Sequence, residues 1–155
     1  MAGAAPGRPV RPLDAAEVAR RRPVWLAISD LWLDTELQDS DFAHMARVLH
    51  ESGYDLPRLQ GIMEDEVAPV VFRNLLCVAG VWDGFDEDWL FERIETRLRR
   101  QTWLGHHLSR LRRRGMTALV RDDWAEVLRR LSLLRAQDEQ RNDGGSEAEV
   151  VKPGE

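Results

Sequence analysis

The chain has 155 residues, 43% of them apolar and 32% charged, with a net charge of −5. That length favours one domain, and the composition is ample for a core and too apolar for a wholly unfolded chain. No run approaches the roughly 20 apolar residues of a bilayer span, and the single cysteine, Cys77, excludes an internal disulfide and a multi-cysteine zinc site.

The first dozen residues are rich in Ala, Gly and Pro and lack an apolar period, which reads as a disordered tail. Asp14 followed by Glu17 resembles a capping box, starting a short helix that ends near Arg22. Pro23 then suits the first turn of a new helix. Val24, Trp25, Ile28, Leu31 and Trp32 recur at spacings of three and four, and Leu26, Ala27 and Leu33 make the other side apolar too. A helix apolar nearly all round is usually central. Asp39 or Ser40 is the expected cap of the next helix, with Phe42, Met45, Ala46 and Leu49 inside. Gly53 ends it in the left-handed conformation, with Tyr54 packing back as in a Schellman motif. Asp55 caps a third helix with Leu59, Ile62, Met63 and Val67 inward, and Pro69 ends or kinks it. A short apolar helix from Asn74 stops at Gly80. Asp86 caps a long one, with Phe85 against Leu90 as a hydrophobic staple, running through the arginines to Gly115 with a bend near Gly105. The last covers Thr117 to Ala136, with Val120, Trp124, Val127, Leu128 and Leu131 inward. No stretch alternates clearly at period two. The expected fold is all-α, a compact single-domain irregular bundle of about six helices. The helical domain spans 13–137, between disordered tails at 1–12 and 138–155.

Four strings are distinctive: Arg22-Pro23-Val24-Trp25, Ser29 to Leu37 with its Leu-Asp-Thr-Glu-Leu core, Glu66-Val67-Ala68-Pro69-Val70, and Ala79 to Phe85. Together, over roughly residues 20–98, they resemble a small bacterial domain family of unknown function. The resemblance implies a bacterial origin and supplies no activity, cofactor or catalytic residue.

The net charge hides segregation. Residues 1–29 are net +3; residues 30–92 carry fifteen acids against Arg47, Arg58 and Arg73, net −12; residues 93–135 are net +8; residues 136–155 are net −4. The densest acids are Asp30, Asp34, Glu36, Asp39 and Asp41, with Asp30 and Asp34 four apart on one helix face. Such oxygens suit a hard cation, but a Ca²⁺ loop counted from Asp34 meets Asp39 where glycine is needed and Met45 where glutamate is needed. Capping and solvation explain them without a metal. Glu64, Asp65 and Glu66 read as a solvated face, and Asp83, Asp86, Glu87 and Asp88 as charge at a helix start. His44, His50, His106 and His107 lack the spacing of a helical zinc pair. There is no nucleophile elbow, Walker loop or dinucleotide fingerprint, and Cys77 sits in an apolar run that suits an inert buried thiol. Abundant acids leave a two-carboxylate enzyme open, although nothing marks a catalytic residue.

Arg93, Arg97 and Arg100 share a helix face, and Arg110, Arg112 and Arg113 follow. They form an alternative anion-binding set, opposed by neighbouring glutamates and by an acidic chain that steers poorly toward nucleic acid. Most of the six tryptophans fit inner stripes, and Trp82, in a turn-like string, is the expected exposed anchor. The reading is a cytoplasmic, non-enzymatic protein-interaction module without cofactor or metal. Its face is Asp30, Asp34, Glu36, Asp39, Asp41 and Trp82, and its partner a basic protein; the alternative is an anion or nucleic-acid binder using the arginine-rich helix 93–114.

Overall fold

A computed structural model describes residues 13–33, 36–77, 86–100 and 115–146, with the backbone alone at 74–77 and 144–146. The N-terminal tail, residues 147–155 of the C-terminal one, Asp34, the expected stop at Gly80, Trp82, the Phe85 staple and everything expected of 101–114, including Arg112 and Arg113, lie outside the described residues. Among those described there are helices and no strands.

Helix α1 spans Ala15–Ser29, and its Asp14 cap accepts the Glu17 backbone N–H at 2.8 Å. It differs from the sequence reading at Pro23, which lies inside this one helix and starts no new one. The proline removes one backbone donor. Burial of Arg21, Val24, Trp25, Ala27 and Ile28 along the same continuous stripe outweighs that loss. Ser29 turns its hydroxyl back onto the Leu26 carbonyl at 2.7 Å, and the chain tightens into a 3₁₀ turn over Asp30–Trp32.

Helix α2 spans Asp39–Glu51, and its cap is Gln38, one residue earlier than expected. The Gln38 backbone N–H donates to Asp41 Oδ2 at 2.8 Å, so the carboxylate of the third helical residue closes the helix end. Gly53 has φ +68, as expected of the helix stop. Its N–H bonds to the His50 carbonyl, while the Ser52 hydroxyl bridges the Leu49 carbonyl and the Tyr54 N–H, where a Schellman motif would place a direct bond.

Residues 56–77 form one uninterrupted helical rod in three windings: α3 over Leu56–Gly61, a π-helical stretch over Ile62–Val67 and α4 over Ala68–Cys77. Of the end or kink expected at Pro69 the end does not occur, and neither does the restart at Asn74. In an ordinary α-helix the Pro69 ring would collide with the Asp65 carbonyl. The wider π turns, in which the Ala68 N–H reaches back five residues to Met63, precede it instead. Pro69 follows that turn, and its missing N–H costs the rod one backbone hydrogen bond.

Helix α5 spans Glu87–Arg100, capped by the Asp86 carboxylate on the Trp89 N–H at 2.8 Å. After one helical turn at 115–118 and a non-helical turn at 119–120 comes α6, Arg121–Ser146. It runs past Asp138, where the sequence reading places the start of the tail. Three contacts hold this end: His50 Nε2 lies 2.7 Å from Asp138 Oδ2, Arg135 donates to the Tyr54 carbonyl, and Arg141 pairs with Asp138 at 3.5 Å. Asp39 meets Arg130 near the start of α2 and His50 meets Asp138 near its end, so α2 and α6 run parallel.

One core joins these elements. Val24, Trp25 and Ile28 of α1 pack with Met45 and Leu49, with Leu59, Ile62, Met63, Val67 and Val71 of the rod, with Leu90 and Ile94, and with Val120, Trp124, Val127 and Leu131. Trp124 also donates from Nε1 to Gln60 Oε1 at 2.6 Å, pinning α6 to α3. No helix among the described residues is long and apolar enough to cross a membrane.

Candidate functional site

The acidic residues at the α1–α2 junction start from a helix end. The α-helix expected to carry Asp30 and Asp34 on one face stops at Ser29, and Leu33 is extended (φ −71, ψ 147). Asp30 is half-buried. Burial pushes its carboxyl above the ordinary carboxylate range, His44 opposes that shift and the nearby Asp41 adds to it. Glu36 is exposed. Asp39 is 94% exposed and pairs with Arg130 at 2.6 Å. Asp41 caps the Gln38 N–H. His44 and Asp41 are thus the electrostatic neighbours of Asp30, while Asp39 turns toward α6. Among the described residues no group of three or more His, Cys, Asp or Glu is placed to hold a metal ion.

The basic side lies on α5. Arg93 and Arg100 are exposed, and the Arg93 guanidinium lies 6.0 Å from the centre of the Trp89 ring. Glu95 pairs with Arg99 at 3.1 Å and with Arg22 of α1 at 2.8 Å. Of Glu92 and Glu95, expected to pair with nearby arginines, Glu95 does so with Arg99 of its own helix and also reaches Arg22 of α1.

A third constellation was missed by the sequence reading. Glu66 is buried, 5% exposed, and belongs to no solvated face. It accepts an ion-paired hydrogen bond from Arg21, itself 2% exposed, and a 2.7 Å bond from Trp25 Nε1 to its other oxygen. Arg21 also donates from Nε to Glu17 Oε1 at 2.9 Å, and the Tyr54 hydroxyl donates to the same oxygen at 2.9 Å. Arg20 covers the Tyr54 ring at 4.0 Å and bonds the Ser52 carbonyl. Burial pushes the Glu66 carboxyl upward, and Trp25 and Arg21 pull it back in part. Burial also opposes the Arg21 charge, but Glu66 and Glu17 outweigh it and hold the guanidinium above its ordinary value. The signal was in the spacing. Arg21 stands four before Trp25 and seven before Ile28, and Glu66 seven after Leu59, each on an otherwise apolar stripe.

This network joins α1, the α2–α3 turn and the π stretch, and with its two acids satisfied by one arginine it holds elements in register. The model of a domain of unknown function, DUF7079, matches residues 19–130, most of the chain. The chain belongs to this DUF7079 family. The match encloses Arg21, Trp25 and Glu66 together with Asp30, Asp39, Asp41 and the α5 arginines. Comparison with curated proteins and with solved structures finds no match.

Proposed function

We propose that this DUF7079 domain is a non-enzymatic protein-interaction module that receives a basic segment of a partner on the side formed by Asp30, Glu36, Asp39 and Asp41. The observation that carries the reading is the Asp30–Asp41 neighbourhood. Two carboxylates lie within each other's field, burial disfavours the charge on Asp30, and the opposing group is the His44 ring, not an arginine. A lysine or arginine from a partner supplies the missing countercharge, and removing it from water costs less where the site is already partly dry. Asp34 belongs to the same string and joins the proposal on sequence grounds alone, and Trp82 joins it as an apolar anchor on the same grounds. A cytoplasmic location and bacterial origin belong to the same reading.

The test is a titration with an arginine-rich peptide at two salt concentrations, followed through tryptophan fluorescence, since Trp32 is two residues from Asp30. Saturable binding that weakens with salt and is lost in Asp30→Asn/Asp41→Asn supports the reading. Equal binding to wild type and double variant overturns it.

One observation favours a second reading, an anion binder on α5: Arg93 and Arg100 are both exposed on that helix. Arg112 and Arg113 extend that set in sequence. The acidic chain repels phosphates, so binding of DNA or RNA at physiological salt is expected to be weaker than about 10⁻⁶ M. Submicromolar, salt-sensitive binding by fluorescence anisotropy, abolished by Arg97→Glu/Arg100→Glu, would promote this reading over the first.

A further inference from the structure

A groove of about 450 Å³ lies between the beginning of α1 and the end of α5. Its floor is apolar: Leu13, Val18 and Leu98 pack against the core from outside, with Ala15 and Ala19 beside them. Arg22 and Arg99 stand at its lip with Glu95 between them. Glu95 Oε1 takes Arg22 at 2.8 Å and Oε2 takes Arg99 at 3.1 Å, so one carboxylate fixes two cations. Arg22 is steadied further by the Phe91 ring, 5.1 Å below its guanidinium. The lip carries a surplus of one positive charge, and a guanidinium has five N–H donors, of which each arginine directs one at Glu95 in these bonds.

We propose that this groove binds a small molecule joining an apolar chain to a single carboxylate, the chain lying on Leu13, Val18 and Leu98 and the head group on Arg22 and Arg99. The volume falls within the roughly 300–1,000 Å³ of small-molecule sites, and an apolar floor with a few convergent polar groups is their usual build. Charge selects the occupant. A carboxylate meets two pre-positioned forks, whereas a neutral chain leaves them unused. The sequences that adjoin the groove, 1–12 before Leu13 and 101–114 after Arg100, carry arginines and no acid, so either would bring like charge to the lip.

The experiment is isothermal titration of the full chain with decanoate below its micelle concentration, with decanol as the neutral counterpart. Saturable one-site binding of decanoate, with decanol much weaker, is expected. Arg99→Gln, a change at a 68% exposed side chain, weakens decanoate by about tenfold, the worth of one charge-assisted hydrogen bond. Ala19→Trp, which fills the groove from an exposed helix position and leaves both ion pairs in place, abolishes binding without lowering the melting temperature. Asp30→Asn/Asp41→Asn leaves it unchanged, which separates this site from the partner face. The proposal is overturned by absence of saturable binding, by equal affinity for decanol, or by full affinity in Ala19→Trp. It is also overturned if decanoate binds only to a chain ending at residue 146, since the acidic stretch 147–155 would then be the occupant.

Discussion

Glu66 and Asp30 both belong to acidic strings that read as solvated, and they end in different surroundings. Glu66 lies inside the bundle with a guanidinium on one oxygen and an indole N–H on the other. Asp30 is half-buried at the end of α1, with a histidine and a second aspartate as its electrostatic neighbours. The first carboxylate is complete without any partner molecule; the second has burial working against its charge and, among the described residues, a histidine as its opposing group. The difference separates a charge used to hold helices in register from one available for recognition. Density of acids does not distinguish the two: Glu64-Asp65-Glu66 is as dense a string as Asp39-Ser40-Asp41.

The largest expected effect is at the indole that serves both core and network. Trp25→Ala is expected to cost about 3–5 kcal/mol from the void alone, with more for the donor withdrawn from Glu66. Urea denaturation measures it, and a midpoint close to wild type would mean that Trp25 is not a core residue. Next comes the pair itself. Arg21→Met leaves Glu66 as an uncompensated buried charge and is expected to cost about 3–5 kcal/mol, Glu66→Leu costs less, and Arg21→Met/Glu66→Leu together recovers most of the loss of Arg21→Met. Glu17 remains near Arg21 and limits the recovery in the Glu66→Leu background. A double variant as unstable as Arg21→Met would show that packing around the pair, and not its charge, holds the register.

A smaller effect belongs to the α6 surface. Arg129 and Arg130 hold the Glu126 carboxyl down at about 2, from an ordinary 4.5, and Arg130 continues to Asp39 on α2. A depressed acid contributes stability above its unfolded value and loses it as the pH falls through the folded one. The contribution of Glu126 is therefore full above about pH 4.5 and fades toward pH 2. Thermal melts of wild type and Glu126→Gln should converge across that window; curves that stay parallel would rule out the linkage. The smallest effect has the opposite sign. Burial raises the Asp30 carboxyl, so its ionisation at neutral pH works against folding. Asp30→Asn is expected to melt slightly above wild type at neutral pH, and the gain should shrink as acid protonates Asp30. A variant that melts lower would show that Asp30 is structurally paired, weakening the case for a partner there.

Periodicity made the inner residues of the helices readable. Leu59, Ile62, Met63 and Val67 follow from spacing alone, and so do Met45, Ala46 and Leu49. Caps at Asp14, Asp55 and Asp86 were equally plain, because a short carboxylate just before an apolar stripe has one common use. Pro23 and Pro69 misled for a shared reason. A proline weakens a helix locally, whereas continuation depends on what the rest of the stripe buries, and at Pro69 also on six residues adopting a wider winding. Of the candidate acidic site, the residues were legible and their grouping was not. The turn at Ser29–Leu33 decides which carboxylates meet, and it is set by a serine back-bond and by the docking of Trp32, whose Nε1 reaches the Met116 carbonyl at 3.3 Å.

By itself the sequence determined the all-helical class, the inner stripes, the caps at Asp14, Asp55 and Asp86 and the left-handed stop at Gly53, since each depends on residues within about two turns of one another. Tertiary structure alone decided that Arg21 meets Glu66 across 45 positions, that Glu95 clasps Arg22 across 73, and that Arg130 reaches Asp39 across 91. A charged side chain on a stripe is ambiguous until its opposite is brought beside it. Water solvates either charge well when they are apart, and only the packed bundle removes the water and makes the pair the better choice.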